Sequence, residues 1–482
     1  MSEDRREEGP LAGVRGAGWI ASLAVLALAL FARLAVVAWA AARIPPAADG
    51  TYYQRIADRI AQGLGYTWLW PDGVITYAAH YPVGYPAMVG AVYAITGPRP
   101  GAAMILNAFL GALAALAAHR LALRAAGPFN ARNRNIALAA GLLVALHPGL
   151  VAYTPALMTE GVTASLLTCA AAVVAWARDR DPAAPRSALP IVAVGLVLGL
   201  ATLVRPQSLA LAPIFGLLAA PLGASLRRRA AAIGIATITA LLACAPWTAR
   251  NCVHMKHCAL VSVNGGWNLL IGADAESTGA WSPIKVPEAC REVYDEAQKD
   301  VCFGREARRY IRAHPLAWIA LAPRKLAATF DYAGAAPWYL HEANRAAFPY
   351  EAKVRLGTVE TIFERLALLV ALLWAARRAT PDEGHALRVA RVVVAAIGAA
   401  FVFVVHAWVA YLALTVAALL RGRALFRGPV LASATIAVLS ATAVTHAVFF
   451  GAGRYSLVVF PLLTALAPFA FARTAPPRAA RR

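Results

Sequence analysis

The chain has 482 residues, 60% of them hydrophobic and only 15% charged, with a formal net charge of +21. Long apolar runs at so low a charge content exclude a soluble globular protein and point to membrane spans. The basic residues fall in short clusters between the apolar runs, so topology accounts for the charge and nucleic acid is excluded as a partner.

The first apolar run, 19–42, ends in Ala38-Trp39-Ala40 and resembles a signal peptide. It is longer than a signal core, and Glu3, Asp4, Glu7 and Glu8 spoil the basic leader, so it reads as the first span. Further spans are predicted at 101–125, 135–157, 160–177, 188–204, 207–223, 230–246, 357–376, 387–406, 408–420, 429–448 and 455–472, giving twelve with a range of 11 to 13. The arginine clusters run in order: Arg120, Arg124, Arg132 and Arg134; Arg178, Arg180 and Arg186; Arg227, Arg228 and Arg229; Arg377 and Arg378; Arg421, Arg423 and Arg427; then Arg473, Arg478, Arg481 and Arg482. They alternate with nearly charge-free ends, which places them and both termini in the cytoplasm. Two long segments, 43–100 and 247–355, then lie outside, where length exempts them from the charge rule. The chain reads as one membrane domain, 1–472, with a basic tail, 473–482, expected to be disordered.

Four of the six cysteines, Cys252, Cys258, Cys290 and Cys302, fall in the second long segment. An even number of external cysteines predicts disulfides, paired as neighbours: Cys252 with Cys258 and Cys290 with Cys302. A zinc site with His254 and His257 is the rival, but the spacing matches no closed Cys/His pattern.

Three constellations carry chemistry. Asp49 opens a short amphipathic helix with Tyr52, Tyr53, Ile56 and Ile60 on one face, followed by a loop crowded with Tyr66, Trp68, Trp70, Tyr77, Tyr81 and Tyr85. That combination suits the headgroup level of a bilayer, and Asp49 reads as a base at the lipid–water boundary, as a plain helix cap, or as both. Glu160 follows His147-Pro148 and Tyr153 at the edge of the fourth span; an acid there is costly unless it is used or paired, and it too can serve as a cap. Arg205, Arg250 beside Asn251, and Arg454 beside Tyr455 are isolated basic residues on the external side. Each serves either an anionic headgroup or a salt bridge to Asp49 or Glu160. Arg324 and Lys325 are further candidates for a headgroup. Arg33, His406 and His446 lie within spans and read as buried, satisfied polar groups.

Taken in order, Asp49-Gly50-Thr51-Tyr52-Tyr53, His80-Tyr81-Pro82-Val83-Gly84-Tyr85-Pro86, His147-Pro148 with Tyr153 and Thr159-Glu160, Arg205-Pro206, Pro246-Trp247-Thr248-Ala249-Arg250-Asn251, Asn264-Gly265-Gly266-Trp267-Asn268-Leu269 and Gly453-Arg454-Tyr455 resemble bacterial GT-C glycosyltransferases. Those akin to protein O-mannosyltransferases and lipid A aminoarabinose transferases match best, over most of the chain. The resemblance implies an all-α integral membrane fold. It implies transfer of a sugar from a polyprenyl-phosphate donor to an acceptor on the outer face of the inner membrane, with inversion. Asp49 would be the catalytic base or the residue that orients the acceptor. Many members carry a second acid directly after it, where this chain has Gly50, so Glu160 would supply that acid. Arg205, Arg250, Lys325 and Arg454 would hold the carrier phosphate, with Tyr52, Tyr53, His80, Tyr81, Tyr153, Asn251 and Tyr455 lining the substrate. Membrane lipid is the other partner, a divalent cation is left open, and no nucleotide-binding motif is present or needed. The rival class is a transporter or flippase of lipid-linked sugars, which would call for two related halves and charges at midplane; neither is visible.

Overall fold

The computed structural model of the chain describes residues 10–472 apart from 128–129, 181–187, 275 and 381–382. The expected disordered tail, 473–482, and Arg186 lie outside the described residues. The helices run in chain order as α1 Pro10–Ala40, α2 Asp49–Ala61, α3 Gly84–Thr96, α4 Pro100–Ala126, α5 Ala131–Ala145, α6 Pro148–Ala152, α7 Thr159–Arg178, α8 Leu189–Val204, α9 Leu211–Ala219, α10 Leu226–His254, α11 Gly265–Ile271 and α12 Glu296–Ala313. They continue as α13 Pro315–Ala320, α14 Ala322–Phe330, α15 Ala335–Ala343, α16 Tyr350–Ala376, α17 His385–Phe401, α18 Trp408–Leu419, α19 Arg423–Arg427, α20 Val430–Val448 and α21 Phe460–Leu466.

Among the described residues six helical segments are long and apolar enough to cross a membrane: 18–40 within α1, α4, 131–152, α7, α10 and α20. This is a multi-pass membrane protein. The other predicted spans are helical but shorter, less apolar or broken. Within 131–152, counted among the six, the helix stops at Leu146 and restarts at Pro148, because proline lacks the N–H that would continue the ladder and holds the residue before it out of the helical region. The last segment, 455–472, is a short helix between two 3-10 turns. In the other direction, α10 runs through Pro246 to His254, so the second long segment begins later than its predicted residue 247.

The bundle is built around α4, which packs on α1, α5 and α7, while α7 continues through α8 to α10. At one end the arginines of the predicted cytoplasmic clusters close helix ends. Arg178 Nη2 donates to the Gly428 carbonyl at 2.5 Å, and Arg421 Nη1 to those of Trp374 and Arg377 at 3.2 and 2.9 Å. Such donors satisfy carbonyls that a helix terminus leaves open.

The segments 43–100 and 247–355 gather at the opposite end. There the all-α expectation needs one correction. Residues 67–69 and 75–77 form an antiparallel hairpin, β1 Thr67–Leu69 and β2 Ile75–Tyr77, with Trp68 opposite Thr76. Its turn is Pro71-Asp72-Gly73, in which Asp72 Oδ1 accepts the Val74 N–H at 3.1 Å and Gly73 takes φ 86. That Pro-Asp-Gly was a readable turn signal. Two disulfides close in the second segment, Cys252–Cys258 and Cys290–Cys302, with Cα atoms 4.1 and 5.9 Å apart. The second belongs to a small core with Leu270, Ala273, Phe303 and Ala307. Replacing Cys290 and Cys302 by Ser should therefore lower stability of this segment by about 2–4 kcal/mol, read as earlier hydrogen exchange across α11 and α12; unchanged exchange would count against a structural bridge.

Candidate active site

Asp49 does not cap α2. It is the first helical residue, the capping position is Ala48 at φ 50, and no side chain caps that end. The carboxylate is engaged elsewhere: Arg454 Nη2 donates to Asp49 Oδ2 at 2.9 Å. An acid in the first turn still gains from the helix dipole. Gly50 explains the missing second acid of the resemblance. A Cβ there would lie 2.9 Å from the Leu157 carbonyl oxygen and 3.0 Å from the Tyr339 hydroxyl, so no side chain fits. The same Tyr339 hydroxyl accepts the N–H groups of Ala47 and Leu157, at 3.2 and 3.3 Å, and so ties the segment before Asp49 to the segment before Glu160.

Glu160 is the second residue of α7 and is not a cap either; Met158 holds the capping position without a side-chain bond. Its side chain is 2% exposed and fully engaged. Oε1 faces Arg454 Nε at 3.2 Å and Arg205 Nη1 at 3.3 Å, and Oε2 accepts the Tyr153 hydroxyl at 3.1 Å. Asp49, by contrast, has a side chain 31% exposed. One acid is thus sealed in and the other open, with Arg454 bridging them. Arg205 lies over the Tyr455 ring at 4.6 Å, and His446 stacks on that ring at 4.2 Å. Beside Arg205 a cavity of about 20 Å³ is lined by Thr163, Ser208, Thr442, His446 and Tyr455.

A wall of aromatics borders Asp49. Tyr52 stacks on Tyr81 at 5.3 Å, while Tyr53 meets Tyr81 and Tyr85 edge-on. The buried face of α2 is Gly50, Tyr53, Ile56 and Ala57; Tyr52, expected on it, is exposed. Burial, and then the Asp49 and Glu160 carboxylates, push the Tyr53 phenol well above its ordinary range. Burial and Asp49 do the same for Tyr81, so both hydroxyls stay protonated donors beside the acids. His80 packs against Tyr81 and Trp267, and burial lowers its pKa against the pull of Asp300 and Asp49.

Not every basic residue expected to meet a phosphate joins this group. Arg250 donates to the carbonyls of Ala78 and Tyr66, at 2.9 and 2.8 Å, and lies over Trp247, clamping the hairpin. Asn251 donates to the Ala259 and Val261 carbonyls. Lys325 is buried, with Nζ donating to the Val448 carbonyl at 3.0 Å. These three are engaged by backbone, because their long segments fold into structure the sequence pattern did not show. Burial brings the Lys325 ammonium down to about 8. The unfolded chain, with an ordinary lysine near 10.4, then binds more protons between those values. Stability should rise with pH across that window, and Lys325→Met should flatten the slope in thermal melts from pH 7 to 10. An unchanged slope would acquit Lys325.

His446, left out of the predicted site, belongs to it through Tyr455. His406 is exposed rather than buried, beside Asp331 at 4.0 Å. Arg33 is buried and donates to the Ala29 and Ala145 carbonyls. Sequence reasoning missed Tyr339 and a second buried acidic group. Glu360 and Glu364 stand one turn apart on α16, both sealed, with His147 against Glu364. Two acids four apart at a span edge were the signal for the pair; Tyr339 had none.

The residues do not fit a divalent cation. Arg454 occupies the place between the two carboxylates, and among the described residues no group of three or more His, Cys, Asp or Glu side chains is arranged to hold a metal ion.

No protein-family model matches the chain, and no curated protein matches it in sequence. Solved structures do. The oligosaccharyltransferase AglB from Archaeoglobus fulgidus, in complex with an inhibitory peptide and a dolichol-phosphate, aligns over 93% of this chain and 50% of its own at 13% identity and TM-score 0.45. ArnT from Cupriavidus metallidurans, bound to undecaprenyl phosphate, aligns over 92% and 78% at 16% identity and TM-score 0.38. The chain spans about half the length of the archaeal oligosaccharyltransferase, 49% in the form tethered to an acceptor peptide, at 13% identity and TM-score 0.47.

Proposed function

We propose that this protein transfers a sugar from a polyprenyl-phosphate-linked donor to an acceptor on the outer face of the inner membrane. The observation that carries the reading is the convergence of Asp49 and Glu160, from distant segments, with Arg454 and Arg205 at one end of an apolar bundle. A phosphate-linked sugar brings its own leaving group. The protein must take a proton from the acceptor and steady the departing phosphate.

Asp49 is the open carboxylate and takes the proton from an acceptor hydroxyl or amine as its oxygen or nitrogen forms the new bond to C1 of the sugar. The bond from C1 to phosphate oxygen breaks on the opposite face, and the electron pair leaves with the polyprenyl phosphate. A single displacement of this kind inverts C1. Arg205, beside the cavity lined by Ser208 and Thr442, offers its fork to the phosphate. Glu160, itself held by the Tyr153 hydroxyl, orients both arginines, and Tyr53 and Tyr81 are neutral donors toward sugar or acceptor.

The test is incubation of the purified protein, in bilayer discs, with polyprenyl-phosphate sugars and membrane extract, followed by mass spectrometry of lipid and protein products. A glycosylated product with free polyprenyl phosphate is expected. Movement of the intact donor across the bilayer without product would favour a flippase. Reporter fusions at Arg180 and Lys299 check sidedness: cytoplasmic at Arg180 and external at Lys299 is expected, and an external signal at Arg180 would overturn the topology.

A further inference from the structure

Two carboxylates facing each other at the mouth of an apolar bundle are the ordinary beginning of a divalent-cation site, since hard cations take carboxylate oxygens. Here the place between them is filled by a side chain. Arg454 sends Nη2 to Asp49 Oδ2 at 2.9 Å and Nε to Glu160 Oε1 at 3.2 Å. Arg205 adds Nη1 to the same Glu160 oxygen at 3.3 Å, and the Tyr153 hydroxyl takes the other oxygen at 3.1 Å. Two carboxylates are thereby matched by two guanidiniums. A divalent cation entering this set would have to expel a guanidinium or leave the site with two surplus positive charges, which a half-buried, low-dielectric setting strongly opposes.

Arg454 is also fixed from behind. The Gly451 N–H donates to the Gly279 carbonyl at 2.9 Å, and the Trp281 N–H donates to the Gly451 carbonyl at 3.2 Å. Lys325 Nζ holds the Val448 carbonyl in the same stretch. At Gly453 a Cβ would lie 2.4 Å from the Tyr332 ring, so the backbone presses directly on that side chain. Tyr455 is in contact with both His446 and Arg205. The guanidinium is therefore presented to the acids by a braced segment.

We propose that Arg454 stands where a divalent cation would bridge Asp49 and Glu160, so that the site binds no metal and its reaction needs none. The guanidinium supplies fixed positive charge through a hydrogen bond to Asp49 and an ion pair with Glu160, and offers no open coordination position. Only the statement about the reaction rests on the glycosyl-transfer reading; the statement about binding does not.

The experiment titrates the purified full-length protein with Mn²⁺ at about 10⁻⁴–10⁻³ M, the range of weak carboxylate sites, and follows free Mn²⁺ by electron paramagnetic resonance. The wild-type protein should take up no equivalent that depends on Asp49. Arg454→Ala, or Arg454→Gln should the alanine variant not fold, should gain one Mn²⁺ with at least tenfold tighter binding, and adding Asp49→Asn should abolish the gain. One equivalent bound by the wild type and lost in Asp49→Asn would overturn the proposal, as would folded Arg454 variants that gain no Mn²⁺. In the transfer assay, chelator should leave the wild-type rate within twofold; a loss restored by Mn²⁺ overturns it. If no sugar is transferred under any condition, the function reading fails, while the Mn²⁺ titration still decides the role of Arg454.

Discussion

Asp49→Asn is expected to lower sugar-transfer turnover by roughly 10²–10⁴-fold, the range for loss of a general base, while the protein stays folded. The change keeps the shape of the side chain and removes only its basicity. Asp49 caps nothing, so no capping energy is lost. What goes is a first-turn charge on the helix dipole and a partly exposed contact to Arg454, each worth about 1 kcal/mol or less. Thermal midpoints should thus barely move while the initial rate collapses. Near-normal turnover with a normal melt would reduce Asp49 to a partner of Arg454 and remove it from the chemistry.

Glu160→Gln should do the reverse of that separation, damaging stability as much as activity. Glu160 is sealed at 2% exposure and neutralises two guanidiniums through one oxygen. Removing one member of a buried ion pair leaves charge without a counter-ion, at about 3–5 kcal/mol. Arg454 would keep Asp49, but Arg205 would keep only the Tyr455 ring. The double variant Glu160→Gln with Arg205→Met should recover much of the melting temperature and none of the activity, because charge balance returns without the phosphate-binding fork. A single variant as stable as the wild type would show that solvent or lipid headgroups already neutralise Arg205, and that Glu160 does not organise the site.

The sequence by itself determined the class of the molecule and the ends of its bundle. Apolar runs long enough to cross a bilayer cannot be hidden in a water-soluble fold, and clusters of arginine between them read as one side of a membrane. It also singled out Asp49, Glu160, Arg205 and Arg454, because charged residues at span edges must be paired or used. Tertiary structure alone decided how those four are joined. That Arg454 bridges both acids, that Arg250 and Lys325 are engaged by carbonyls of other segments, and that Tyr339 ties the two acid-bearing segments all depend on contacts between residues more than a hundred positions apart. Asp49 and Glu160 as helix caps were reasonable from local rules, and both gave way to a stronger partner. A guanidinium brought in by the last segment offers Asp49 a charged hydrogen bond and Glu160 an ion pair, whereas a cap offers only a backbone amide. Local chemistry fixes which residues need a partner; packing of the helices fixes which partner arrives.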